Sequence, residues 1–384
     1  MINVTKTYAP SFQKYVKYLE GIWERRWFTN HGPLVNELEE SLKSFLGVKH
    51  LFFVTNGTIA LQIAIKALEL QGKIATTPFS YVATTSSIHW ESCKAVFADI
   101  DPRTFNISVP QLMQLKDPEI QAIMGVHVYG NPCDVTAIEN LSKSKNWKVI
   151  YDAAHAFNVK VNNKSVLNFG DISTLSFHST KVFHTIEGGA IVTSDDELAH
   201  KISYMRNFGH NGKEDFYGVG VNGKCSEFQA AMGLCMLEDY PKLEEMRQEK
   251  HNYYDVKLKE AFDSGELVAP IWHTEANRNY GYYPILFRTQ EELLSVKTGL
   301  ENYQIFPRRY FYPSLTTLPY VDSNSRCNIS EDVSTRMLCL PLYPELRQEE
   351  QKLIVDILKR SLLSTSKDNN SKNTVVTPIR KSVA

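Results

Sequence analysis

The chain has 384 residues, 43% hydrophobic and 22% charged, with a formal net charge of -1. That length can bury a large core and suggests two domains, or one large domain with an appendage. The near-neutral balance gives no field to gather nucleic acid or anionic lipid, and no apolar run approaches the length of a membrane span.

Residues 34–46 (LVNELEESLKSFL) place Leu34, Val35, Leu38, Leu42 and Phe45 on one face and end at Gly47, which predicts an amphipathic helix. LFFV (51–54) reads as a buried strand, Thr55-Asn56-Gly57-Thr58 as a turn, and IALQIAIKALEL as a helix rich in Ala and Leu. The pattern then recurs. KIATT is a strand, SYVATTSSIHW a helix, KAVFADI and AIMGVHVYG are strands, and a helix follows from about Asp134. KVIYD, STLSFH and GAIVTS are three more strands. Asp195, Asp196 and Glu197 then suit the N-terminus of another helix. Strands alternating with helices from about 50 to 210 predict an α/β domain on a largely parallel sheet.

The character changes after 240. PKLEEMRQEKHNYYDVKLKEAFD (241–263) predicts a long polar helix, GYYPILF (281–287) a strand, 290–302 a helix, TRMLCLPLY a strand, and 347–363 a closing helix. The expected organisation is a large α/β domain at 1–240, a smaller α+β domain at 241–363, and a polar, disordered tail at 364–384. Met1-Ile-Asn-Val-Thr-Lys has no apolar core segment, so no secretory signal is expected. The six cysteines (93, 133, 225, 235, 327, 339) form no CxxC pair, which favours reduced thiols in the cytoplasm over disulfides or a metal site.

Four features fall at ends of predicted strands, where open α/β sheets bind ligands. Asn56-Gly57-Thr58 opens a helix, whose free N–H groups and positive dipole end suit a phosphate. Asp152 ends KVIYD; a carboxylate there can hold a pyridine nitrogen protonated, although a helix-capping aspartate is the commoner use. Lys181 follows a hydrophobic strand in a loop of small hydroxyl residues, where desolvation would free its amine to attack a carbonyl; most lysines are instead simply solvated. Asn222 lies in GVGVNGKCSEFQAAMG. Gly218, Gly220 and Gly223 there spell GxGxxG, but they follow the polar loop RNFGHNGKEDFY rather than a strand, so a nicotinamide site is not indicated.

Taken in order, NGTIALQIA, TPFSYVATT, KAVFADIDPRTFNI, VHVYGNPCDV, VIYDAAHAF, GDISTLSFHSTK, EGGAIVTSDDELA, RNFGH and GVNGKCSEFQAAMG resemble the DegT-class sugar-nucleotide aminotransferases. The resemblance runs from about Trp27 to residue 360 and is densest between 52 and 235. It implies the aspartate-aminotransferase-like fold, pyridoxal 5'-phosphate (PLP) as cofactor and a homodimer with shared active sites. By the same resemblance Lys181 is the Schiff-base lysine, Asp152 the partner of the pyridine nitrogen, and Tyr81 the ring-stacking aromatic. Ser176, Gly57 and Thr58 hold the phosphate, and Asn222 reaches it from the neighbouring subunit. His155 stands where the family often has glutamine, and a histidine there could also titrate. Gly223-Lys224 replaces the tyrosine-arginine that often follows the asparagine.

The implied reaction moves an amino group from glutamate to a keto sugar nucleotide. SFHSTKVFHTIEGG resembles most closely the enzymes that aminate C4 of dTDP-4-keto-6-deoxyglucose, a step toward surface polysaccharides such as O-antigen; C3 aminotransferases share most of the motifs. Lys181 argues against the related dehydratases, in which histidine replaces the lysine, and the full set of Lys181, Asp152 and Ser176 argues against a non-catalytic regulator. Thr29, His184, Arg308 and Tyr310 are the candidate sugar-nucleotide contacts; arginine suits a diphosphate, while small-domain packing is an equal use for Tyr310.

Overall fold

A computed structural model of the chain describes residues 1–321 and 326–372, with side chains to residue 363. The large sheet contains β1 (His50–Val54), β2 (Lys73–Thr76), β3 (Lys94–Phe97), β4 (Ile120–Val126), β5 (Lys148–Asp152), β6 (Ile172–Ser176) and β7 (Gly189–Thr193). Their spatial order is β1-β7-β6-β5-β4-β2-β3. Only β7 runs antiparallel to its neighbours; the pairs among β2 to β6 are parallel.

Side chains alternate across this sheet, as strand geometry requires. Leu51 and Phe53 of β1 enter the core on one face, while Val54 faces the other. The first face is covered by α1 (Phe12–Arg25), α2 (Pro33–Leu46) and the start of a long helix, and the second by α3 (Gly57–Ala67), α4 (Val82–Trp90) and, after α5 (Val109–Gln114) and α6 (Val135–Lys145), by α7 (Asp196–Met205). Both faces are therefore buried, which explains why these strands read as continuous apolar runs. In α2 the buried seam is Leu34, Val35, Leu38, Leu42 and Leu46; the expected Phe45 is half-buried and stacks on Phe157 at 6.0 Å. Gly47 ends α2 in the left-handed region (φ 65°), as a C-terminal glycine does.

The domain division differs from the sequence reading in three places. The long helix α8 spans Glu227–Asp263, so position 240/241 lies inside a continuous helix. The expected start at 241 gives way to one at Ser226, whose side chain and that of Gln229 form a reciprocal capping box. Secondly, Ile2–Asn3 pairs in parallel with Ile305–Phe306, and Ile2 belongs to the smaller core. Thirdly, α11 (Gln348–Lys372) continues past residue 363; residues 373–384, the rest of the expected tail, lie outside the described residues. The smaller unit packs α9 (Gln290–Glu301) and α11 on β8 (Leu267–Val268), β9 (Pro284–Phe287) and β10 (Met337–Cys339). TRMLCLPLY is divided: Asn328–Arg336 is helix α10, and only Met337–Cys339 is strand.

Glu227 fastens two helix starts together. Its fully buried carboxylate accepts Leu34 N–H (3.0 Å) and Val35 N–H (2.9 Å) at the start of α2, while the residue itself opens α8. Glu227→Ala would leave two buried donors unpaired and a cavity beside Gly32. Each unpaired donor costs about 1–3 kcal/mol, so urea denaturation should show a destabilisation of roughly 3 kcal/mol or more.

Candidate active site

The parallel strands deliver their C-terminal ends to one cleft of about 430 Å³, a size usual for small-ligand sites. Its walls come from the turn after β1 (Asn56, Gly57, Thr58), the turn after β2 (Ser80, Tyr81), the end of β5 (Asp152, Ala154, His155), β6 and its loop (Ser176, His178, Lys181, Glu187) and the smaller domain (Tyr282, Arg308, Tyr310, Phe311). A larger, open depression of about 610 Å³ lies at the opposite strand ends, around Gln121 and Lys148. Its lining includes Glu69, Asp117, Lys116 and Lys148 but no serine, threonine or tyrosine.

Lys181 sits in a turn closed by its own N–H on the His178 carbonyl (2.9 Å). Its Nζ lies 3.4 Å from Tyr282 Oη, which reaches over from the smaller domain. Burial pulls the amine down to about 8, with the Asp152 charge opposing. A free amine is thus accessible near neutral pH, as attack on a carbonyl requires.

Asp152 is buried at the end of β5, and burial raises its pKa. Thr84 Oγ1 donates to its Oδ2 (2.8 Å) and Ala154 N–H to its Oδ1 (3.2 Å), and both bonds favour the charged carboxylate, as does Lys181. His155 Nδ1 accepts the Tyr129 N–H (3.3 Å), which leaves the ring proton on Nε2. The ring stacks on Phe311 (centroids 5.5 Å, 7° between planes). Burial first, then the charges of Lys181 and His127, hold its pKa well below the ordinary histidine value. That shift runs against the titration that the sequence left open for His155.

Asn56 caps α3 by accepting Ile59 N–H at Oδ1 (2.9 Å). The first-turn amides of Gly57 and Thr58 have no acceptor within the helix. A Cβ on Gly57 would stand 3.0 Å from Ser176 Cβ, so the glycine lets the helix start and the Ser176 hydroxyl approach one another. Amides and a hydroxyl for phosphate, a carboxylate for a ring nitrogen and a lysine amine of lowered pKa thus line a single cleft. The residues present fit PLP.

Tyr81, exposed at the start of α4, and the exposed Arg308 and half-buried Tyr310 also line the cleft. The Arg308 guanidinium lies over the Tyr310 ring, 5.5 Å from its centroid. The other candidates lie elsewhere. His184 turns inward, buried, with Nε2 at the Tyr8 carbonyl (2.8 Å) and Nδ1 accepting Ile186 N–H. Thr29 is exposed ahead of α2 and outside this chain's cleft. Asn222 is exposed as well; its Oδ1 accepts Lys224 Nζ (2.9 Å), and the next residue's carbonyl accepts Thr55 N–H (3.0 Å).

Three site residues escaped the sequence reading: Ser80, Thr84 and Tyr282; Phe311, which belongs to the candidate segment 308–312, lines the cleft. Ser80 and Thr84 sit inside a quoted motif, and their four-residue spacing across a helix start was the available signal. Tyr282 comes from the smaller domain, and nothing local in the sequence ties it to Lys181.

Residues 12–359 match the DegT/DnrJ/EryC1/StrS aminotransferase family. The dTDP-4-amino-4,6-dideoxy-D-glucose transaminase of Shigella dysenteriae is 40% identical over 93% of this chain and 98% of its own. Among solved structures, DesI in the presence of its TDP-sugar product is similar at a TM-score of 0.89 and 27% identity, covering 97% of this chain and 95% of that one. NtdA from Bacillus subtilis with bound cofactor PMP is similar at 0.85 and 25% identity, covering 91% and 82%.

Proposed function

Because the chain belongs to the DegT/DnrJ/EryC1/StrS aminotransferase family, we propose that it is a PLP-dependent transaminase moving an amino group from glutamate to C4 of dTDP-4-keto-6-deoxyglucose, giving dTDP-4-amino-4,6-dideoxyglucose. The observation that carries the reading is the Lys181 amine, lowered to about 8, in one cleft with buried Asp152. The 40% identity to a transaminase of that name supports C4 over C3.

PLP, when bound, supplies an electron sink for the carbon that loses a proton. The chain's residues supply the rest. Gly57 and Thr58 amides and the Ser176 hydroxyl bind the phosphate. Asp152 keeps the pyridine nitrogen protonated. Tyr81 covers the ring face, and neutral His155 offers a hydrogen bond from Nε2. Lys181 Nζ would hold the cofactor and, once displaced by the incoming amine, would move a proton from the donor carbon to the cofactor in the first half and from the cofactor to the sugar carbon in the second. One tethered amine beside both carbons removes the need for a second base. Arg308, with Tyr310 beneath it, faces the anionic substrates; its five donors suit carboxylate and diphosphate alike. The test is release of 2-oxoglutarate from glutamate beyond one equivalent per active site only when the 4-keto sugar nucleotide is present.

A homodimer with Asn222 lent to the neighbouring site is part of the proposal. The large exposed side chains Trp27, Phe28, Phe208, Phe216 and Val221 support a covered surface near that loop. Lys181→Ala and Asn222→Ala chains, each impaired alone, should regain activity when co-refolded, because a mixed dimer carries one intact site. A mixture no more active than its parents would remove Asn222 from the shared site. Among the described residues no helix is long and apolar enough to cross a membrane. The six free, buried cysteines suit the reducing cytoplasm that we propose as its location.

A further inference from the structure

Beneath the cleft runs a short buried chain of hydroxyls. Ser80 Oγ lies 2.8 Å from Thr84 Oγ1, and Thr84 Oγ1 donates to Asp152 Oδ2, also at 2.8 Å. Thr84 is fully buried, Ser80 is 3% exposed and Asp152 7%. A hydroxyl has one proton. Thr84 commits its own to the carboxylate, so the Ser80–Thr84 bond must be donated by Ser80. The direction is therefore fixed as Ser80 to Thr84 to Asp152, and both dipoles point at the carboxylate.

We propose that Thr84, polarised by Ser80, is the positioning residue that keeps Asp152 ionised and its carboxylate aimed into the cleft. Asp152 is penalised by burial, and within the protein it accepts one bond per oxygen: Ala154 N–H on Oδ1 and Thr84 on Oδ2. The first is a backbone bond that no side chain controls, and at 3.2 Å it is the longer. The titratable groups around the carboxylate are Lys181 from the loop after β6, Tyr282 from the smaller domain and His155 on its own loop; His127, whose backbone N–H donates to the Asp152 backbone carbonyl, turns its ring away onto Tyr151 (centroids 4.6 Å). Both histidines are held neutral by burial, and Tyr282 stays a phenol. Lys181 is the one cation of this set, and it is the group whose charge must change during turnover. A neutral donor of fixed direction keeps Asp152 charged when the lysine is not. A bond to a charged group is stronger than a neutral one, and in line donors strengthen each other.

The role in catalysis rests on the proposed PLP chemistry, but its physical core can be tested without cofactor. In cofactor-free protein, infrared titration of the Asp152 carboxyl, assigned against Asp152→Asn, should move to higher pH in Thr84→Val. Valine matches the shape and lacks the hydroxyl. Thr84→Ser should restore the wild-type titration, and Ser80→Ala should give a smaller shift of the same sign. In the holoenzyme the dissociation constant for PLP should rise about tenfold in Thr84→Val, the scale of one hydrogen bond to a charged group, and the acid limb of kcat/KM should move up in pH. An unmoved Asp152 titration in Thr84→Val overturns the proposal, as does Thr84→Ser behaving like valine. If Thr84→Val does not fold, an unmoved titration in Ser80→Ala overturns it. Wild-type protein that bound no PLP would sink the functional reading and leave this titration standing.

Discussion

Lys181→Ala should lose at least about 10⁴-fold in turnover, since one amine serves as attachment point and as acid and base, and either role alone is worth up to about that factor. The variant should still bind PLP through the phosphate donors, but borohydride should fix no cofactor to the chain. Retention of borohydride-fixed PLP would move the attachment to another lysine. The environment of Lys181 makes a second demand. In cofactor-free wild-type protein, modification of this amine by an acylating reagent should rise with pH through a midpoint near about 8, the value to which burial lowers it. A midpoint at the ordinary lysine value, near 10.5, would mean that the amine is solvated.

Asp152→Asn should reduce kcat by roughly 10³-fold, the scale of removing a preorganised charge from a dry site. The amide can still accept from Thr84 or Ala154, so the shape of the cleft survives. It cannot hold the ring nitrogen protonated. The same substitution should act on Lys181. Asp152 raises the lysine pKa by its charge, so removing that charge must lower it, and the modification midpoint should fall below the wild-type value. A variant with an unchanged midpoint would show that the two groups are uncoupled, and the kinetic loss would then need another cause.

How legible all this was in the sequence depended on distance along the chain. The strands of the large sheet were readable because both faces are buried, which leaves apolar runs bounded by turn residues. Lys181 and Asp152 were readable as strand-end positions. Their joint purpose came from ordered motifs, since nothing in KVIYD requires a lysine from the loop after the next strand. His184 was a candidate sugar-nucleotide contact, but the loop turns and buries the ring against the Tyr8 carbonyl. The expected start of the long helix at 241 lies inside α8, which continues through Pro241. Tyr282 was illegible because it lies a hundred residues away and meets Lys181 only after the domains pack, 3.4 Å from Nζ. Thr84 was one hydroxyl in the run TTSS until its direction toward Asp152 was known.

The measurement that bears most directly on the central claim is NMR of the product formed from holoenzyme, glutamate and the 4-keto and 3-keto forms of the dTDP-6-deoxy sugar. The account predicts a new amine at C4, from the 4-keto substrate, with 2-oxoglutarate released in equal amount. Amination only at C3 would contradict the C4 assignment, and consumption of the 4-keto sugar without transfer of nitrogen would contradict transamination itself.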